Sequence, residues 1–306
     1  MKKITLMILA CLLLIACGQS YEETKRITRE QRREAARKDS AALKVAVMPT
    51  LDCLPLYVAQ HHQLFDTLNG GVRLKYFKAQ MDCDSALERG RVEGAVTDLV
   101  RAMNMDRKGT KIRYVAVTNA YWQLVTNRNA RIKQLKQLED KMVAMTRYSV
   151  TDMLADRAVD SAKLDKDHVF KVQVNDVFVR MLMLQNNIMD ALCLTEPQAS
   201  QARQMKHPVV LDTRSLNWQM GVIAFREHEM RRHERAKQLA LFVKAYNQAC
   251  DSLNKHGLMH YRDVIKKRCQ LKAEQVDALP KDLKFPHAKG PLQQDIDVVT
   301  KWLEKK

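Results

Sequence analysis

The sequence contains no Gly-x-Ser-x-Gly turn, no glycine-rich phosphate loop and no His-Glu-x-x-His pair, which removes the sequence marks of several hydrolase and nucleotide-binding classes. The histidines form no ligand pattern either. His61 and His62 are adjacent and would point apart on a helix, while His228 and His233 stand at a poor helical spacing. Acidic residues are few: 35 Asp and Glu face 52 Lys and Arg, a formal net charge of +17. Such an excess can signal nucleic acid. Here no basic run is interleaved with aromatics, which make up only 6% of the chain, so no nucleic-acid partner is expected. Solubility and an anionic envelope surface account for the charge. Also missing is any apolar run of the roughly 20 residues that a membrane-spanning helix needs.

What the N-terminus does have is Lys2 and Lys3, a short apolar run from Ile4 to Ile15, and then Leu14-Ile15-Ala16-Cys17 in the form of a lipobox. This predicts a signal peptide over residues 1–16 and a diacylated Cys17 as the mature N-terminus, held at a membrane surface by its lipid. The expected location is the cell envelope, on the periplasmic or outer-membrane face. Residues 17–43 then comprise the lipidated cysteine and a charged, partly helical tether, because residues 20–43 contain neither Gly nor Pro and almost no apolar stripe.

From Lys44 the texture changes to a strand-then-helix rhythm. Val45 to Met48 is a short buried strand, Pro55 opens a helix, Val72 to Phe77 alternates as a strand, and Asp82 or Asp84 is placed to cap the next helix. Gly94 to Thr97 and Ile112 to Val117 follow as strands. A second series runs through Lys141–Met145, Phe170–Val174, Ala191–Leu194 and Val209–Leu211, with helices between them. Strands alternating with helices predict an α/β protein of two lobes, each a doubly wound, mostly parallel sheet. The expected division is 44–120 for the first part of lobe 1, 121–222 for lobe 2, and 223–306 for the return to lobe 1 with the C-terminal helices.

The run from Val45 through Pro49-Thr50-Leu51-Asp52 and Pro55-Leu56-Tyr57-Val58-Ala59 to Leu64-Phe65 resembles the start of mature type II periplasmic binding proteins, in the subgroup associated with sulfonates, nitrate and thiamine-precursor pyrimidines. Three further segments match in order: Gly94-Ala95-Val96-Thr97-Asp98, Arg180-Met181-Leu182-Met183 with Asp190-Ala191-Leu192, and Glu196-Pro197-Gln198-Ala199. The chain departs from the family in Gln63, where a glycine is common, and in its extra cysteines. The resemblance implies a type II fold with two crossover strands, near 118–124 and 218–225. It also implies a monomeric substrate-binding lipoprotein that closes by a hinge on a small solute and hands it to the permease and ATPase subunits of an ABC importer.

In such a fold the ligand meets the loops that follow the strands. The candidate binding residues are therefore Thr50, Leu51, Asp52, Gln80, Asp82, Thr97 and Asp98 in lobe 1, and Tyr121, Trp122 and Trp218 at the crossovers. In lobe 2 they are Thr146, Tyr148, Ser149, Asn175, Asp176 and Glu196. Five of these are acids, which points to a neutral or cationic solute, such as a pyrimidine-type thiamine precursor, over an anion.

Cys53 and Cys83 sit just past neighbouring strands and are expected to form a disulfide, with Cys250 and Cys269 a second possible pair. No cofactor, metal or catalytic residue is expected. The alternatives are a lipoprotein that senses its ligand without transporting it, and a pyrimidine-metabolising enzyme on the same fold. The enzymes of that kind carry a clustered-cysteine motif that this chain lacks.

Overall fold

The computed structural model describes residues 21–66 and 71–306. The expected signal peptide and the lipidated Cys17 lie outside the described residues. Helix α1 (Tyr21–Ala41) carries the charged segment into the body. There Asp39 pairs with Arg73 and Lys75 at 3.0 and 2.9 Å, and Arg235 donates to the Ala41 carbonyl at 2.9 Å.

Two five-stranded sheets follow. The first contains β1 (Leu43–Val47), β2 (Val72–Tyr76), β3 (Gly94–Asp98), β4 (Ile112–Val117) and β10 (Gly221–Arg226), in the order β2-β1-β3-β10-β4. The second contains β5 (Gln123–Thr126), β6 (Lys141–Met145), β7 (Val169–Gln173), β8 (Ala191–Leu194) and β9 (Val209–Asp212), in the order β7-β6-β8-β5-β9. β1 pairs in parallel with β2 and β3, and β6 with β7 and β8. The one strand antiparallel to its neighbours in each sheet is the strand entered from the other lobe, β10 and β5. The chain thus crosses between sheets twice, through residues 118–122 and 213–220, and rejoins the first sheet at Gly221, two residues before the expected boundary.

Between the strands run α2 (Leu54–His61), α3 (Gln80–Glu88) and α4 (Leu99–Arg107) in the first lobe, and α5 (Val150–Ala162), α6 (Val177–Gln185) and α7 (Gln198–Gln204) in the second. After β10 come α8 (Glu227–Met230), α9 (His233–His256), α10 (Arg262–Cys269), α11 (Ala273–Asp277) and α12 (Gln293–Leu303), which pack onto the first lobe.

β1 and β3 are largely buried on both faces because helices cover both. In the second sheet the two-residue period separates two cores. Leu124, Val143, Ala191 and Cys193 pack on one side, and Val125, Ala144, Leu192 and Leu194 on the other. Gly221 lies where the crossovers touch. A Cβ there would meet Ala120 Cβ at 2.6 Å and collide with Thr118 Oγ1, so only glycine fits.

α3 starts at Gln80, with Ala79 as its N-cap, so neither Asp82 nor Asp84 caps it. Asp82 is exposed in the first turn, whereas Asp84 is buried and pairs with Arg101.

Candidate functional site

The last residue of β3 and residues in the loops after β6 and β7 cap the helices that follow. Asp98 accepts from the Arg101 N–H at the start of α4, Ser149 from the Thr151 N–H at α5, and Asp176 from the Phe178 and Val179 N–H groups at α6. These caps and the loops beside them bring the two sheets' strand ends against each other. The Leu51 N–H of lobe 1 donates to the Glu196 carbonyl of lobe 2 at 3.0 Å, the Val150 N–H of lobe 2 donates to Asp98 Oδ1 at 3.2 Å, and Ala79 forms an antiparallel bridge with Asp176.

The lobes enclose a cavity of about 50 Å³. Lobe 1 lines it with Met48, Thr50, Asp52, Gln80, Thr97 and Asp98, the first crossover with Trp122, and lobe 2 with Thr146, Ser149, Thr151, Asn175 and Arg180 among others. Nine of the sixteen candidates therefore meet at one place: Thr50, Asp52, Gln80, Thr97, Asp98, Trp122, Thr146, Ser149 and Asn175.

The other seven do not line it. Leu51 is in the first-lobe core and Asp82 is exposed on α3. Tyr121 turns away to donate to Glu196 at 2.5 Å, and Arg214 covers its ring at 3.8 Å from the centroid. Glu196 is spent on Tyr121, Arg203 and the Ser200 N–H, and Asp176 on its helix cap. Tyr148 is exposed at a neighbouring surface hollow beneath Lys108. Trp218 lines a different cavity beside the C-terminal helix.

The expected acid-rich cleft is accordingly corrected. Only Asp52 and Asp98 of the five acids reach it, and a base faces them. Arg180 is buried and donates to the Val174 carbonyl, the Cys193 carbonyl and Thr146 Oγ1, all uncharged acceptors. Burial lowers its pKa to about 10, so it keeps its charge at neutral pH. Its sequence signal was available: a single Arg in the otherwise apolar run Val177-Phe178-Val179-Arg180-Met181-Leu182 has no reason to be there as core.

Asp98 is raised to about 7, chiefly by burial, with the Arg101 charge and its hydrogen bonds opposing. Burial likewise raises Asp52 against the hydrogen bonds from Thr50 and nearby backbone. Behind Asp98, Arg101 is bound to Asp84 and donates across the lobes to the Arg147 carbonyl at 3.4 Å.

The expected disulfides are absent: all five described cysteines are free and buried. Cys53 Sγ turns back to accept from the Met48 N–H at 3.4 Å and Thr50 Oγ1 at 3.6 Å, and Cys250 Sγ donates to the Pro286 carbonyl. Among the described residues no helix is long and apolar enough to cross a membrane, and no group of three His, Cys, Asp or Glu side chains could hold a metal.

The fold is that of several solved binding proteins. The alkanesulfonate-binding protein of Xanthomonas axonopodis pv. citri, bound to MOPS, superposes with a TM-score of 0.73 at 14% identity, over 87% of this chain and 92% of that one. The periplasmic aliphatic sulphonate-binding protein of Escherichia coli gives 0.69 at 17%, over 86% and 87%. The periplasmic nitrate-binding protein of Synechocystis PCC 6803 gives 0.64 at 14%, over 83% and 74%. No curated protein sequence matches the chain significantly. The family model described as NMT1/THI5 like matches residues 50–256, from Thr50 in the loop after β1 to the end of α9. That span is well over half of the 306 residues, and the chain belongs to the NMT1/THI5-like family.

Proposed function

We propose that the chain is the lipid-anchored solute-binding component of an ABC importer, acting as a monomer at the cell envelope and passing its solute to permease and ATPase subunits. The observation that carries this is the meeting of strand ends from two sheets around one cavity, with two crossings joining the lobes among the described residues. Rotation about residues 118–122 and 213–220 is then the soft motion, and a cavity of about 50 Å³ admits a solute only when the lobes part. The sulfonate- and nitrate-binding functions in the names of the structural relatives agree with this reading. Binding fits better than catalysis because the one thiol lining the cleft, Cys193, is pushed up to about 12 by burial and is no nucleophile at neutral pH.

Lobe 1 brings Asp52 and Asp98 to the cleft and lobe 2 brings Arg180. This polarity suits a solute that is neutral overall, with hydrogen-bond donors at one end and acceptors at the other. An aminopyrimidine of the thiamine-precursor kind carries both, and the Trp122 ring offers its face. A simple anion would gain Arg180 but meet two carboxyl groups. Calorimetric titration with such an aminopyrimidine, nitrate and methanesulfonate tests the ligand. One-to-one binding of the pyrimidine and no heat from the anions is expected; tight nitrate or sulfonate binding without pyrimidine binding overturns it.

A further inference from the structure

A second cavity lies away from the interlobe cleft. It measures about 400 Å³, a volume typical of small-molecule sites, and sits between α5 and β7 of the second lobe, Trp218 of the second crossover, and α12. α12 belongs to the first lobe, where Val299 and Leu303 join the core.

Two of the three tryptophans in the chain, Trp218 and Trp302, line this cavity. The Trp302 indole is fixed by donating Nε1–H to Asp156 at 2.9 Å. Asp156 and Asp152 are in turn neutralised by Lys171, at 2.6 and 2.9 Å, and by Lys306, at 2.8 and 3.5 Å. Burial works against the Lys171 charge, but the two carboxylates outweigh it and hold its pKa above the usual value. The acids of this wall are thus used up, since Asp160 faces Lys166 at 3.6 Å. Arg157, Lys301 and Lys305 remain around the cavity with no carboxylate partner among the described residues. Two indoles with three uncompensated cations match a planar ring that carries negative charge.

We propose that this cavity is a second binding site, for a planar aromatic ring bearing a sulfonate or phosphate group. Because its walls come from both lobes, such a ligand binds best to this arrangement of them and favours it over the parted one.

Naphthalene-1-sulfonate, followed by tryptophan fluorescence of the full chain, tests the assignment. Saturable one-to-one quenching is expected, weakened by roughly tenfold in the Arg157→Gln/Lys301→Gln/Lys305→Gln variant, whose changes are all on exposed side chains. The uncharged naphthalene-1-methanol should bind about tenfold more weakly for the same reason. Arg180→Met, in the interlobe cleft, should leave the quenching unchanged. A parallel arm with naphthyl phosphate distinguishes the two anionic groups by which binds tighter. Absence of saturable quenching up to about 1 mM, well beyond the affinity expected of such a site, overturns the proposal. So does loss of quenching in Arg180→Met with the triple variant unaffected, which would put the probe in the interlobe cleft, or equal binding of the uncharged ring.

Discussion

Asp98, at the end of β3 in the first lobe, accepts a 3.2 Å hydrogen bond from the backbone N–H of Val150, the first residue of α5 in the second. The same oxygen caps α4 through the Arg101 N–H at 3.0 Å, so one side chain closes a helix start in each lobe. Its proton affinity therefore bears on both lobes at once.

With its pKa raised to about 7 by burial, Asp98 is favoured neutral in the folded chain and ionised in the unfolded one. Folding stability should fall as pH rises from about 4, the unfolded value, to about 7, and the full penalty persists above that. Asp98→Asn keeps an oxygen for both N–H groups and cannot ionise. In urea unfolding its stability relative to the native chain should improve by about 2–4 kcal/mol between pH 5 and pH 8. An identical pH dependence in the two proteins would contradict this.

Arg180→Met removes the one cleft-lining guanidinium and its hydrogen bonds to the Cys193 carbonyl and to the Val174 carbonyl, which keeps Thr146 Oγ1 as a donor at 3.4 Å. Solute affinity should drop by about a hundredfold, with a stability loss of about 1–3 kcal/mol from the lost hydrogen bonds. Arg180→Lys retains the charge but not the planar fork, and should recover only part of the affinity. Titration calorimetry with thermal unfolding separates the two effects, and unchanged affinity in Arg180→Met would remove Arg180 from the site.

Gly221→Ala should cost about 1–3 kcal/mol, since the added methyl has Thr118 and Ala120 in its place at the junction of the crossovers. A change within about 0.5 kcal/mol, the usual range for unremarkable surface positions, would mean that the junction yields easily.

The thiols of Cys53, Cys83, Cys193, Cys250 and Cys269 are buried and raised in pKa by that burial. Iodoacetamide should leave them untouched in the native chain and label all five after unfolding without reductant. Fewer than five labels under those conditions would reveal a disulfide.

Much of this fold is written in local pattern. Short apolar runs such as Val45–Met48 and Ala191–Leu194 are bounded by turn and cap residues, and the residues just after them line the cleft. What local pattern does not carry is direction. Tyr121 and Trp122 are equally good aromatic candidates, yet neighbours leading into a strand point to opposite sides: Trp122 faces the cavity while Tyr121 bonds to Glu196. That pairing spans 75 positions in sequence and exists only in the folded chain. Arg180 escaped for the converse reason. It stands out as the one Arg in an apolar helix, but the position of its guanidinium depends on three carbonyl and hydroxyl acceptors supplied by other strands and loops.

The opening and closing of the cleft can be measured as a distance. Because the native thiols are buried, Glu88→Cys on α3 and Gln185→Cys on α6, both exposed, can carry spin labels specifically. Pulsed dipolar spectroscopy of the labelled chain should give a broad or longer distance distribution without solute. Saturating solute should collapse it to one short distance, that of the lobes in contact through Asp98 and Val150. A single distribution, unmoved by any solute that calorimetry shows to bind, would contradict closure of the two lobes on a ligand.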